Sequence, residues 1–405
     1  MKFKVVLAAS LVLGLSFASL INTTDQINRS NIALGGNPAA KVGQTAKTFE
    51  GGLTLMDKIA QSNSLLGSIS GAGTTGKDID PKSQMFSDMF LQGAMPLGMG
   101  VLTVAYEKNT DVGYSIKGSV QNTNRSAVQS IYDTASALKV AYGIDLSQKT
   151  AFTPAIKGLA VGAELASNTD TSVTYQKVNN KNDWGTALKE RTEINAASPY
   201  TSLVLGAIYD LDATSKVTVG QKFAAARNWD NKGQYSDLDK AKDDTQYNEE
   251  MQPETAIGYI YDYSDKITVG GTLTLVGDKT YDVNYTDSVN GSREFEKVKI
   301  GYKKYTINGE YAFAKDLAFQ GYYGWADKVG QFKTDLANNN AVATDEGKNI
   351  TEMGISAVKT MGDHTFIVGL ARTVVIDENN DSNDDTSSGW KTDDTNLYAN
   401  YGYKF

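Results

Sequence analysis

The chain has 405 residues, a formal net charge of −8, one histidine and no cysteine. The acidic balance argues against a nucleic-acid partner, which calls for a basic face, and the lack of cysteine excludes disulfides, thiolate metal sites and thiol chemistry. Glycine (38) and tyrosine (22) are abundant, proline (6) and tryptophan (4) scarce, and mean hydropathy is negative, a balance that suits a sheet in which only every second residue must be apolar. Length alone would admit two or three soluble domains, yet no linker or composition shift divides the chain.

At the start, Lys2 and Lys4 precede an apolar run from Val5 to Leu15, and Ser16-Phe17-Ala18 places small residues at the −3 and −1 positions of a signal-peptidase site. Residues 1–18 are therefore expected to be a signal peptide that exports the chain. The run is too short for a spanning helix, which needs ~20 residues, and no later stretch approaches that length. Residues 19–46 follow as an expected compact plug, because Ala33-Leu34-Gly35-Gly36-Asn37-Pro38-Ala39-Ala40 crowds glycines and a proline where no wall strand tolerates them.

From 47 to 405 the chain reads as strands. Phe49, Gly51, Leu53 and Leu55 alternate with Glu50, Gly52 and Thr54 in a first strand, and 57–87 is expected as a long loop with Ile59, Leu65, Leu66 and Ile69 as apolar cover. Strands near 88–96 and 98–107 meet at Pro96-Leu97-Gly98, and those near 130–145 and 156–178 at a longer connection containing Pro154. Further pairs join at Asp212-Ala213-Thr214, Ser264-Asp265, Ala314-Lys315-Asp316 and Gly362-Asp363. Polar loops are expected near 108–129, 179–197, 229–247, 281–294, 329–347 and 377–393. Long and short connections alternate and the strands number about fourteen, which predicts an all-β fold, a transmembrane antiparallel β-barrel with a short N-terminal plug.

Single strands carry the two-residue period. Leu203, Leu205, Ala207 and Tyr209 oppose Val204, Gly206 and Ile208; Ile267, Val269, Gly271, Leu273 and Leu275 oppose Thr268, Gly270, Thr272 and Thr274; Leu317, Phe319, Tyr323 and Trp325 oppose Ala318, Gln320 and Tyr322. Aromatics gather towards strand ends, as a membrane-interface girdle does. From Phe366 to Val375 both faces are apolar, and Arg372 is expected to point inward because a charge facing mid-bilayer lipid costs about 2–4 kcal/mol.

The last strand, Thr395 to Phe405, puts Leu397, Ala399, Tyr401, Tyr403 and Phe405 on one face and ends on its own aromatic. It resembles the C-terminal strand of bacterial outer-membrane β-barrels, whose final Phe is part of the signal read by the insertion machinery. That resemblance implies an outer-membrane location with lipid and the insertion machinery as partners, and Phe405 closing the barrel against the first strand.

A narrower resemblance rests on Asn37-Pro38-Ala39 directly before the first strand, on Pro253-Glu254 ahead of an aromatic-rich strand, and on the turn Ser264-Asp265-Lys266-Ile267. Together with the strand spacing to Phe405, these resemble the FadL family of outer-membrane channels for long-chain fatty acids and, in one branch, aromatic hydrocarbons. The resemblance implies a fourteen-stranded barrel plugged by an N-terminal hatch, with a hydrophobic ligand held inside and released sideways at a kinked third strand. Two departures stand out. The hatch lacks the longer Gly- and Asp-containing segment between Gly36 and Asn37, and 179–197 is polar and short where the family has an apolar helical loop.

Competing chemistry finds little support. The one histidine, His364, lies beside a predicted short turn and lacks the neighbours that hydrolysis needs, so no enzyme activity is expected. The acidic run Asp377 to Asp385 lacks the glycine and spaced glutamate of an EF-hand and reads as a solvated loop, so neither metal nor cofactor is expected. Glu50, Lys139, Glu164, Lys222, Glu310 and Lys404 are expected inward, where charges are ordinary in a polar lumen. Among cations, Lys139, Lys222 and Arg372 are the candidates to meet a carboxylate head group, each with the plainer reading of a solvated lumen. Val204, Ile208, Ile260, Val358, Phe366 and Leu370 are expected to give an apolar interior. The function expected is uptake of hydrophobic or amphipathic small molecules; the alternatives are a general diffusion porin, or a structural or adhesive major outer-membrane protein.

Overall fold

A computed structural model describes residues 31–62, 78–82, 84–119, 125–147, 155–180, 187–235, 246–250, 252–278, 280–287, 291–294, 301–329, 332–335, 342–345, 347–377 and 390–405. The expected signal peptide, residues 19–30 of the plug and most of the acidic run lie outside these. Among the described residues fourteen strands form the wall. They are β1 (Thr48–Ser62), β2 (Gln84–Leu97), β3 (Gly100–Ser119), β4 (Arg125–Asp145), β5 (Leu159–Asn180), β6 (Tyr200–Asp210) and β7 (Ser215–Lys222). The second half comprises β8 (Glu254–Ser264), β9 (Ile267–Val276), β10 (Tyr302–Ala314), β11 (Leu317–Val329), β12 (Lys348–Met361), β13 (His364–Asp377) and β14 (Trp390–Lys404). Each pairs antiparallel with its neighbour, and β14 returns to β1 from Thr48↔Lys404 to Ser62↔Trp390. The Phe405 N–H donates to Lys47 O at 2.9 Å beside this seam. Closure leaves no sheet edge, the condition for strands to cross a bilayer.

The two faces separate cleanly. In β8, Ala256, Ile260 and Asp262 are buried inside while Ile257, Tyr259, Tyr261 and Tyr263 are exposed outside. In β14 the inner Asn396, Tyr398 and Asn400 are buried and the outer Leu397 and Tyr401 exposed. A belt of Leu53, Leu165, Leu205, Ile307, Ile355 and Val368 faces outward, where lipid rather than a protein core takes up the apolar surface. Aromatics border it: Tyr305 stacks on Trp325 at 5.2 Å, and Tyr403 meets Phe405 edge-on at 4.7 Å.

The barrel has a turn end, with short links such as Gly98–Met99 and Gly362–Asp363, and a loop end where the wall continues far past the belt. Gly98 and Gly362 adopt φ of 62° and 64°, a region glycine enters without steric cost. At the loop end, much of what the sequence marks as loop is hydrogen-bonded strand. β1 runs to Ser62 and β2 begins at Gln84, taking both ends of the loop expected at 57–87, whose Leu65, Leu66 and Ile69 lie outside the described residues, and β3 and β4 extend into 108–129. Ala187–Ala197 pairs with the outer half of β5, then Ala226–Tyr235, Gln246–Glu250, Thr280–Asp287 and Gly291–Glu294 carry the sheet onward. Beyond the lipid nothing requires an apolar outer face, so the alternation ends while the backbone pairing goes on.

Three expected orientations are corrected. In β13 the inner face is Ile367, Gly369 and Ala371, so Phe366, Leu370 and Arg372 point outward. Arg372 escapes the midplane penalty in two ways. It lies about 20 Å above His364, taking ~3.4 Å per residue and ~40° tilt, near the far edge of a ~25 Å belt where a charge costs only about 0–1 kcal/mol. It also forks onto Asp393, Nε to Oδ1 at 2.8 Å and a terminal nitrogen to Oδ2 at 2.5 Å.

Candidate functional site

The described part of the plug, from Asn31, lies inside the barrel. Successive turns close on themselves: the amides of Leu34, Asn37, Ala40 and Val42 donate to the carbonyls of Asn31, Leu34, Asn37 and Ala39. Leu34, Ala39 and Ala40 pack on Ile208 of β6 and Ile260 of β8, and Ile32 and Ala33 on Val204 and Ala256.

Asn37 is 3% exposed and uses both ends of its amide. Its Oδ1 accepts from the Ala39 N–H at 3.0 Å, holding the turn through Pro38, while Nδ2 donates to Val219 O of β7 at 2.9 Å. Pro38 has no N–H to leave unsatisfied and a fixed φ, so the turn is stiff. Asn31 does the same one step earlier: Oδ1 accepts from Ala33 N at 2.9 Å and Nδ2 donates to Thr272 Oγ1 of β9 at 3.0 Å. Sequence reading missed Asn31, although the signal was present, because Asn31-Ile32-Ala33 repeats the Asn-x-Ala spacing of Asn37-Pro38-Ala39 six residues ahead of it.

Beside the hatch, on its loop-end side, lies a cavity of about 40 Å³ lined by Gly35, Gly36, Asn37, Pro38 and Lys41 and, from β2 to β5, by Gln92, Thr103, Glu107, Lys139 and Glu164. At one probe sphere per ~10–15 Å³ it holds a few waters, not an acyl chain. Its cations are matched: Lys139 Nζ sits 2.7 Å from Glu107 Oε2, and Lys41 Nζ 2.9 Å from Glu50 Oε1, with Gln92 also donating to Glu50 at 3.3 Å. Lys222 faces inward at the end of β7, opposite Glu254 in register and within electrostatic reach of both Glu254 and Glu164. Thus Lys139 lines the cavity, Lys222 lies next to its Glu164 wall, and Arg372 is outside the barrel. Glu310 lies on the opposite inner wall and accepts from Gln320 at 2.8 Å. Tyr322 and Tyr398, which no motif marks, lie over Gly354 and Gly369 with Ile367 and Ala371.

Two further features bear on passage. The β2–β3 ladder runs from Leu97↔Gly100 to Met89↔Lys108, and pairing to β3 resumes only at Asp78–Lys82 against Ser115–Ser119. Among the described residues, Gln84–Asp88 and Asn109–Tyr114 form no rung with each other, and β3 bulges against β4 between Asp111 and Tyr114. Between hatch and β1, Gly43 adopts φ 88°. His364 faces outward at the turn end, its Nδ1 2.8 Å from Tyr401 OH, and among the described residues no His, Asp and Glu group gathers as a metal site.

Fold and site together define a plugged transmembrane β-barrel. Solved structures with the same fold include the Pseudomonas putida toluene transporter TodX (13% identity, 96% of this chain and 97% of that one, TM-score 0.59) and a Pseudomonas aeruginosa FadL homologue (8%, 91% and 93%, 0.57). The Ralstonia pickettii toluene transporter TbuX is similar as well (11%, 93% and 94%, 0.55). The fold is that of FadL-type outer-membrane channels. No protein-family model matches the sequence, and no curated protein matches it.

Proposed function

We propose that this protein is an outer-membrane channel for uptake of hydrophobic small molecules, exported by a signal peptide at residues 1–18 and inserted through the signal ending in Phe405. The observation that carries this reading is the hatch held in the lumen by Asn37 and Asn31, in a barrel whose fold is shared with toluene transporters. A diffusion porin needs a standing aqueous pore lined by opposed charges; here the inner wall is met by an apolar plug of Leu34, Ala39 and Ala40. Asn37, Pro38 and Ala39 keep that plug in place.

The charge pattern favours an uncharged ligand over a fatty acid. Lys139 and Lys41 already face carboxylates at 2.7 and 2.9 Å, and Lys222 stands between Glu164 and Glu254, so a ligand carboxylate would have to displace a partner or lie against Glu164. Exit is sideways in this reading. The interrupted β2–β3 ladder lies just beyond Glu107 and Phe90, and a solute leaving there passes into lipid at ~25 cal/mol per Å² of apolar surface kept from water.

The test is uptake of labelled toluene and of a labelled long-chain fatty acid by cells expressing the protein, against an empty-vector control. Toluene uptake above control, exceeding that of the fatty acid, is expected, and Pro38→Gly combined with Asn37→Ala should lower it while raising ion conductance. No uptake above control for either solute defeats the proposal.

A further inference from the structure

Four glycines stand directly opposite one another on the inner face of four consecutive strands: Gly143 of β4 faces Gly162 of β5, Gly162 faces Gly206 of β6, and Gly206 faces Gly220 of β7. A glycine weakens a strand, having no side chain to make the cross-strand contacts that stabilise a sheet. Four in one row concentrate that loss at one place, close to the turn end. The hatch lies on that place. A Cβ added at Gly143 would stand 2.8 Å from Pro38 O, at Gly162 2.7 Å from Ala39 N, at Gly206 2.7 Å from Pro38 Cδ, and at Gly220 2.6 Å from Ile32 C. Side chains come closer still at two of the sites, Val42 Cγ2 at Gly143 and Asn37 Oδ1 at Gly206, but each of the four also meets hatch backbone or the rigid proline ring under 3.0 Å, so withdrawing a side chain alone makes no room. Asn37 then donates to Val219 O, next to Gly220 in the same strand.

We infer that the β4–β7 wall is a built seat for residues 31–42, and that the hatch stays docked on it while solute passes. The part that moves is the strap from Gly43 to Lys47, which begins at the Gly43 turn just past the Lys41–Glu50 pair that holds the docked end. No neighbour lies within 4 Å of a Cβ built at Gly43, so the glycine there serves backbone freedom rather than close approach, unlike the four in the row. Solute crosses over the docked hatch instead of through the space it would vacate. The transport half of this inference rests on the uptake reading above; the seat does not.

A cross-link separates the two. At Gly258 of β8 an added Cβ lies 3.5 Å from Ala33 Cβ, within the ~3.5–4.5 Å span of a disulfide, and the chain has no other cysteine to interfere. Ala33→Cys with Gly258→Cys, and Thr218→Ala to clear the hydroxyl that crowds this site, should cross-link on oxidation. The oxidised protein is expected to keep the toluene uptake of its reduced form. Loss of uptake on oxidation, restored by dithiothreitol, would show that the hatch must leave and overturns the inference; so would failure of the pair to oxidise in folded barrels. Independently, Gly162→Ala and Gly206→Ala should each raise single-channel conductance, and Gly271→Ala on the outer face should not. Folded Gly162→Ala and Gly206→Ala barrels with unchanged conductance refute the seat, and if neither folds the cross-link decides. Should even the unsubstituted protein take up nothing, the uptake reading fails, and the seat is judged by conductance and cross-linking alone.

Discussion

Replacing Asn37 by alanine removes two short hydrogen bonds at once, the donation to Val219 O at 2.9 Å and the acceptance from Ala39 N at 3.0 Å, together with a longer donation to Ala207 O at 3.4 Å. The residue is 3% exposed and Ala39 is buried, so water does not readily replace either bond. At ~0.5–1.5 kcal/mol net for each bond, with more for the Ala39 N–H left unpaired, docking of the hatch should weaken by about 2–3 kcal/mol. Since each 1.4 kcal/mol is tenfold, the undocked population should rise roughly 30- to 150-fold. Trypsin reads this directly, because Lys41 is tucked against Glu50 when the hatch is docked and becomes a cleavage site when it is not. Asn37→Asp adds a control: it keeps the acceptor for Ala39 but turns an oxygen towards Val219 O, and should cleave at least as fast as Asn37→Ala. Wild-type cleavage rates in both variants would refute the role of Asn37 as the grip on the wall.

Deleting Phe405 removes the amide that donates to Lys47 O and the ring that meets Tyr403, and should lower the folded, heat-modifiable fraction on gels; undiminished assembly contradicts it. Cysteines placed at Ser387, between the strand ends Asp377 and Trp390, and at Asp363 in a short turn should differ in intact cells, only the first reacting with an impermeant maleimide. Labelling of the second alone would invert the barrel. Arg372→Ala should leave uptake unchanged, because the side chain is outside the lumen on Asp393; a loss specific to charged solutes would argue otherwise. In the β6–β7 turn, the Thr214 amide foremost, then the Ser215 and Thr214 hydroxyls, hold the Asp212 carboxyl below its usual value of 3.8. A lowered folded value means the turn's contribution is full above the unfolded value and fades as pH falls through the folded one, so the Asp212 carbon resonance should titrate below 3.8.

Within the bilayer the sequence is readable because lipid enforces the two-residue period, and the strands from Tyr200 to Asp210 and Ile267 to Val276 lie as their alternation indicates. Beyond it the enforcement ends, which is why Ala187–Ala197 and Ala226–Tyr235 read as polar loops. β13 fails for the opposite reason. With both faces apolar from Phe366 onward, period alone cannot choose a side, and the inner face is settled by Tyr398 packing over Gly369 and beside Ile367. The glycine seat is invisible for another reason still: Gly143, Gly162, Gly206 and Gly220 are unremarkable one by one, and only the register across four strands puts them in a row.

The hatch should close the lumen to ions while the protein still admits an uncharged hydrophobic solute. Single-channel recording of the purified wild-type barrel in a planar bilayer tests it most directly. A small, mostly closed conductance is expected, growing when Pro38→Gly and Asn37→Ala are introduced together. A large, steady wild-type current, unchanged by those substitutions, would mean an open aqueous pore and contradict it.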